Sequence, residues 1–414
     1  MEGDLTQLKA RDYCGLDRYL SVSENEIKKN NKRQISLYES NFNNYKKPTN
    51  FSINTRIVTA ENNFDFGQKV QFKIPRYGDR IGDMSLEITL PTLPNVGYIN
   101  TIGYGLIEYI EVEIGGIIID KHYDIWMDVH DQLMTKPDYR DGVNEMILRF
   151  QNRDFTDESF QGGIVVVPLK FWFCGVLSQS FPLIALSHQD IFINVKLKPL
   201  NKVWTSDSGL TLTAGEYHIE KAHLLVDYIR LDKLEREYLY KKKRHEYLIK
   251  QVQRVECSIT ENTTKLKVSL ENINYPVIEL VWVLRNDSNE NANDYFDYTA
   301  TTTPSDDPMI SGRITFVEKE RLEEMSGKFF RMIQPFKKHS NIPDTYIYMY
   351  SFAAKPEYDS QPTGSCNFSE LDNVYLHLTL KNSYAQGKIF VFAVNYNVLI
   401  IEDGYAWLEK CLSI

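Results

Sequence analysis

The chain has 414 residues, 43% of them hydrophobic, which is more than one hydrophobic core usually serves and predicts about two domains. A formal net charge of −9 argues against a surface that wraps a polyanion, because such surfaces need clustered Lys and Arg. The five cysteines (Cys14, Cys174, Cys257, Cys366, Cys411) are far apart without a CxxC pair, which suggests neither a disulfide framework nor a zinc knuckle, and no apolar run approaches the ~18 residues that span a bilayer.

The opening Met-Glu-Gly-Asp lacks the basic and apolar regions of a signal peptide, so an unsecreted protein with reduced thiols is expected, with the sequons at Asn50, Asn262, Asn286 and Asn367 unused. Residues 1–47 hold Leu5, Leu8, Leu16 and Leu20 among charges without sustained alternation, and are expected to form an arm outside the folded domains. Strict alternation then begins. Val70 and Phe72 oppose Gln71 and Lys73; Leu86, Ile88 and Leu90 follow; Ile110, Val112 and Ile114 oppose Glu111 and Glu113. Each is a half-buried strand, and Gly115-Gly116 permits the positive φ of a tight hairpin.

Next, Asp124 to Met134 reads as a helix, with Ile125, Trp126, Val129, Leu133 and Met134 on one face and a solvated polar face opposite. Residues 163–173, 190–199 and 223–231 read as further strands. The charged stretch 232–247 contains no Gly or Pro and includes Lys241-Lys242-Lys243-Arg244; it should be a short helix or extended connector with a solvated face, at the boundary between domains. Beyond it the pattern recurs: Leu266, Val268 and Leu270 alternate, an apolar run occupies 276–284, and Val374, Leu376, Leu378 and Leu380 alternate before a long apolar strand at 388–401. Residues 317–333 show helical spacing, and residues 286–307, rich in Asn, Asp, Thr and Ser, should form a mobile surface loop. Many short strands in two similar halves indicate an all-β pair of sandwiches or barrels.

Each candidate reaction centre has a stronger structural reading. Gly103-x-Gly105 precedes a strand, so no helix N-terminus is available for a phosphate. His122 and His130 lie eight residues apart around Asp124, Asp128 and Asp131, unlike the i, i+4 pair that places two imidazoles on one metal. Glu111 and Glu113 fall on the expected solvent side of their strand, and Cys174 follows the apolar Phe171-Trp172-Phe173, where a thiol is a poor nucleophile. No catalytic, metal or cofactor-binding residue is assigned, and no enzymatic activity is expected.

Four segments carry a family resemblance. Residues 107–133 (IEYIEVEIGGIIIDKHYDIWMDVHDQL), 168–197 (PLKFWFCGVLSQSFPLIALSHQDIFINVKL), 346–378 (YIYMYSFAAKPEYDSQPTGSCNFSELDNVYLHL) and 390–401 (FVFAVNYNVLII) resemble, in order, the conserved stretches of the major capsid proteins of nucleocytoplasmic large DNA viruses, such as iridoviruses and phycodnaviruses. Ala354 and Ser365 depart from that signature, as does the tail after residue 402.

The resemblance implies two consecutive eight-stranded jelly rolls with short helices in loop insertions. The expected divisions are an N-terminal arm at 1–49, jelly rolls at 50–231 and 249–402, a connector at 232–248 and a C-terminal tail at 403–414. It further implies pseudo-hexagonal homotrimers tiling an icosahedral shell, in a virion assembled in host cytoplasm. Its partners would be neighbouring trimers, minor capsid and penton proteins and, through the arm, an internal membrane layer, without direct contact to nucleic acid. The alternatives are a carbohydrate-binding β-sandwich, a β-sandwich hydrolase and a minor capsid protein of the same virus class.

Overall fold

A computed structural model describes residues 50–409 except 95, 151–161, 207–211, 213–214, 301–306, 360, 382–383 and 385; the expected arm lies outside the described residues. Among the described residues, eight strands of five or more residues make the two main sheets of the first half, beside a small ribbon of Gly97–Tyr98 with Trp204–Thr205: β1 Phe51–Thr59, β2 Lys69–Lys73, β3 Arg80–Leu90, β4 Ile107–Ile114, β5 Ile117–Tyr123, β6 Gly163–Pro168, β7 Ile191–Leu197 and β8 Lys221–Leu231. They pair antiparallel in two sheets of order β1-β8-β3-β6 and β2-β7-β4-β5. The second half supplies β9 Arg244–Ile259, β10 Lys265–Ser269, β11 Pro276–Asn286, β12 Met309–Phe316, β13 Lys319–Ser326, β14 Tyr348–Ser351, β15 Tyr375–Leu380 and β16 Gly387–Glu402. Its sheets run β9-β16-β11-β14 and β10-β15-β12-β13, the same order shifted by eight. This is the jelly-roll arrangement, built twice.

The alternating residues do what the period of two requires. Val70, Phe72, Leu86, Ile88, Ile110, Val112, Ile193 and Val195 enter one core; Val268, Leu270, Leu376, Leu378 and Leu380 enter the other. Gly115 and Gly116, at φ 56° and 85°, turn β4 into β5. The apolar runs of β11 and β16 do not alternate because both faces of their sheet are covered. Leu280, Trp282, Leu284, Val391 and Ala393 point into the second core. Val281, Val283, Phe390 and Phe392 point away from it, against helix α1 (Asp124–Met134) of the first half.

Five expectations need correction. The segment 319–326 is the edge strand β13 rather than a helix. Val317 and Glu318 turn the chain at positive φ, and Leu322 and Met325 face the core, so the abundant charge belongs to an exposed strand edge. Helical structure starts at Phe329 and runs through Lys338.

Residues 286–300 are no mobile loop: Asn286 caps the helix Asp287–Asn291, and Tyr295, Tyr298 and Ala300 are buried. The tail after 402 begins as a strand, β17 (Tyr405–Leu408), folded back on β16 through Asp403 and Gly404, both at positive φ; Ala406 is buried in the first core. The acidic face of α1 is buried rather than solvated. Of the expected connector, Lys233–Lys241 form helix α3, capped by the Asp232 side chain, and residues 244–248 already belong to β9.

Candidate functional site at the seam between the jelly rolls

Helix α1 starts directly after β5 because Tyr123 ends that strand and the Asp124 carboxylate accepts the Ile125 N–H. Its 3.6-residue period divides it between two cores. Met127 packs in the first, whereas Ile125, Trp126, Val129 and Leu133 lie on the outer face of the second jelly roll's β9-β16-β11-β14 sheet. The Trp126 ring is 5.5 Å from that of Phe392. Backbone and side chains tie the same contact: Asn341 N–H donates to the Leu133 carbonyl at 3.1 Å, and Thr345 Oγ1 donates to Gln132 Oε1 at 2.8 Å.

The polar side of α1 is a largely buried ionic network that borders a cavity of about 600 Å³. Arg149, on the segment after helix α2 (Pro137–Ile147), donates through Nη2 to Asp128 at 2.6 Å and through Nη1 to Asp131 at 2.5 Å. Asp128 also accepts from Tyr298 Oη and Gln132 Nε2, both at 2.9 Å. Burial alone would lower the Arg149 pKa; the two carboxylates outweigh it and hold the guanidinium above its usual range. Lys198 pairs with Asp124 at 2.6 Å. Each of the three acids thus has a cation within 2.6 Å, Arg149 serving two of them, in an arrangement that joins α1 to both jelly rolls.

His122 and His130 lie on either side of the Trp126 ring, at 6.5 and 5.8 Å. His122 pairs with Asp120 at 2.9 Å and stacks on Phe171. Both histidines line a cavity of about 260 Å³ at the seam, together with Lys170, Lys250, Glu279 and Asp359. Among the described residues no group of three or more His, Cys, Asp or Glu could hold a metal.

Glu111 was expected in solvent but is buried under its own neighbours. Lys69 reaches it at 2.9 Å from β2, Lys121 at 3.5 Å from β5, and Asn194 donates to it from β7. Burial pushes the Cys174 thiol up to about 12, far from a reactive thiolate. Gly103 and Gly105 sit in a buried helical turn, Ile102–Gly105, that leads into β4. Lys241 and Arg244 of the basic run pair with Glu237, and with Glu246 and Glu402.

Sequence reasoning did not find His339, which is clasped between Glu279 (Nε2 to Oε2, 2.8 Å) and Glu357 (Nδ1 to Oε1, 3.0 Å) with its side chain fully buried. A lone histidine after Lys337-Lys338 carries no signal; its partners come from β11 and from a loop 18 residues on. Burial alone would lower this imidazole, but the two carboxylates outweigh it and hold it at about 9, above the unfolded value of ~6.5. A raised folded pKa stabilises fully below the unfolded value and is lost as pH rises through the folded one. Thermal stability should therefore decline between about pH 6.5 and 9, and His339→Gln should flatten that decline in a melting series. An unchanged slope in the variant would show that the clasp carries no charge.

Two jelly rolls of identical strand order, fused through a shared buried helix and a largely buried ionic network, define a rigid double jelly-roll building block. The sequence matches the family model of the large eukaryotic DNA virus major capsid protein over residues 235–406, and that of the major capsid protein N-terminus over residues 40–232. It is 32% identical to the major capsid protein of Pyramimonas orientalis virus and 29% identical to that of Paramecium bursaria Chlorella virus 1, in both cases over 99% of each chain. The fold superposes on the crystal structure of PBCV-1 VP54 with a TM-score of 0.77 and 28% identity, covering 91% of this chain and 100% of that one. The Faustovirus major capsid protein shares the fold at 13% identity, with a TM-score of 0.73 over 97% of this chain and 99% of that one. The chain belongs to the family of major capsid proteins of large eukaryotic DNA viruses. It is a structural protein of the virion shell.

Proposed function

We propose that three copies form a pseudo-hexagonal capsomer, that capsomers tile an icosahedral shell, and that the protein's work is mechanical rather than catalytic. The carrying observation is the repeat itself: each chain holds two units of the same strand order side by side, so three copies present six similar units around one axis. The first jelly roll is read as residues 50–231 and the second as 244–402, since β9 opens at Arg244, five residues before the expected 249, and residues 232–243 connect them. Shell assembly takes place in host cytoplasm. Neighbouring trimers, minor capsid and penton proteins are the partners; nucleic acid is not contacted, in keeping with the net charge of −9.

Mass photometry of the purified full chain at micromolar concentration should show three times the chain mass. A persistent monomer would sink the capsomer reading.

The arm is assigned the attachment of capsomers to minor proteins or to an internal membrane layer, since Leu5, Leu8, Leu16 and Leu20 can bury area only against a partner. Deleting residues 1–29 should leave trimers and melting temperature nearly unchanged while lowering incorporation into shells. Normal incorporation of the truncated chain, or its failure to trimerise, would contradict that assignment.

A further inference from the structure

Buried polar atoms without a hydrogen-bond partner gather around the cavity of about 260 Å³ at the seam. His122 Nδ1, Trp126 Nε1, His130 Nδ1 and Glu279 Oε1 all belong to residues that line it, and none has a partner among the described residues. His122 and Trp126 are 2% exposed and Glu279 1%. Each such atom forfeits a hydrogen bond that it would make in water, so four around one space point to an occupant. The larger cavity beside Asp128 and Arg149 has no such atom among the described residues that line it.

The unpaired groups are of both kinds. The Trp126 N–H can only donate, and so can the ammonium of Lys170, which lines the same cavity and has no ion pair or hydrogen bond among the described residues. Glu279 Oε1 can only accept. His122 Nε2 donates to the Asp120 carboxylate, which leaves Nδ1 as the acceptor of that ring. Burial holds His130 well below the usual histidine pKa, so it is a neutral imidazole with one N–H and one lone pair.

The walls are also balanced in charge. Carboxylates of Asp120, Glu279, Glu357 and Asp359 are matched by Lys136, Lys170, Lys250 and the charged His339 clasped between two of them. Such a lining favours an ion of neither sign. The group that meets donors and acceptors at once without adding charge is the hydroxyl. The volume falls below the roughly 300–1,000 Å³ of pockets that take drug-sized ligands, which restricts the occupant to about one ring.

We propose that the seam cavity binds a neutral polyhydroxylated molecule of single-ring size, a monosaccharide or cyclic polyol. Its hydroxyls would join Trp126 and Lys170 of the first jelly roll to Glu279 of the second. Because α1 and β5 supply one wall and β9 and β11 the other, the bound molecule bridges the two jelly rolls and strengthens the seam.

The full chain is titrated by calorimetry and by differential scanning fluorimetry with glucose, galactose, mannose and myo-inositol, and with glycine as a zwitterionic control. One of the four polyols should bind once per chain. At a hundred times its dissociation constant it should raise the melting temperature by roughly 5–10 °C. Trp126→Phe, which keeps a ring and removes the N–H, should weaken binding about 5-fold, and Lys170→Met about 30-fold. Neither substitution removes a hydrogen bond made within the described protein, so both variants should melt in a single transition without the polyol.

No heat and no melting shift with any of the four, in a parent that melts cooperatively, would overturn the proposal. Undiminished binding in either variant would place the polyol elsewhere and overturn it too. A melting shift with glycine alone would make the ligand a zwitterion and contradict the assigned chemistry.

Discussion

Arg149→Met should lower the melting temperature of the protein by on the order of 10 °C. The guanidinium is the charge partner of both Asp128 and Asp131, which are 0% and 2% exposed, and its removal leaves two carboxylates buried without a cation. Breaking a buried pair from one side costs about 3–5 kcal/mol. For units of this size each kcal/mol corresponds to roughly 2–4 °C. Tyr298 and Gln132 still donate to Asp128, so its hydrogen bonding is partly retained while its charge is not balanced. Adding Asp128→Asn and Asp131→Asn to Arg149→Met should recover part of the loss, since those amides need no counter-charge. Differential scanning fluorimetry reads both effects. A fall of under ~2 °C for Arg149→Met would mean that the network does not stabilise the seam.

Trp126→Ala should loosen one jelly roll from the other. The indole is 2% exposed and occupies the seam between Phe392 and His130, at ring distances of 5.5 and 5.8 Å. Truncating a buried tryptophan costs about 3–5 kcal/mol through lost contacts and the cavity left behind. Because this cavity lies between the two cores, the expected calorimetric signature is a broadened or divided transition, with faster protease cleavage near α1. The indole N–H has no hydrogen-bond partner among the described residues, so Trp126→Phe should cost under about 1.5 kcal/mol and retain a single transition. Equal losses for Phe and Ala would place the effect elsewhere than in ring packing.

The outward apolar residues of β1 and the seam face of α1 explain why the pattern of residues was informative in some places and misleading in others. Strands that cover one core from one side, such as β2, β4, β10 and β15, alternate cleanly and were legible from period alone. Strand β1 was not: its apolar residues Phe51, Ile53 and Ile57 face outward, and of the intervening residues only Val58 is buried. The apolar face of α1 was legible from its helical spacing. Its partner was not, because Phe392 is more than 260 positions away and nothing local to α1 names it.

The sequence by itself determined the all-β class, the duplication, the inward face of most strands, the hairpin at Gly115-Gly116 and, through four ordered segments, the family. These depend on local period, turn chemistry and residue identity, which are fixed along the chain. Only the tertiary structure decided that the acids of α1 are buried, that residues 295–300 fill the seam and that Glu111 is enclosed. It also decided that His339 is held between two carboxylates and that 319–326 is an edge strand. Each of these depends on which distant surface covers a residue from its second side, a contact that a one-dimensional pattern of polar and apolar residues does not specify.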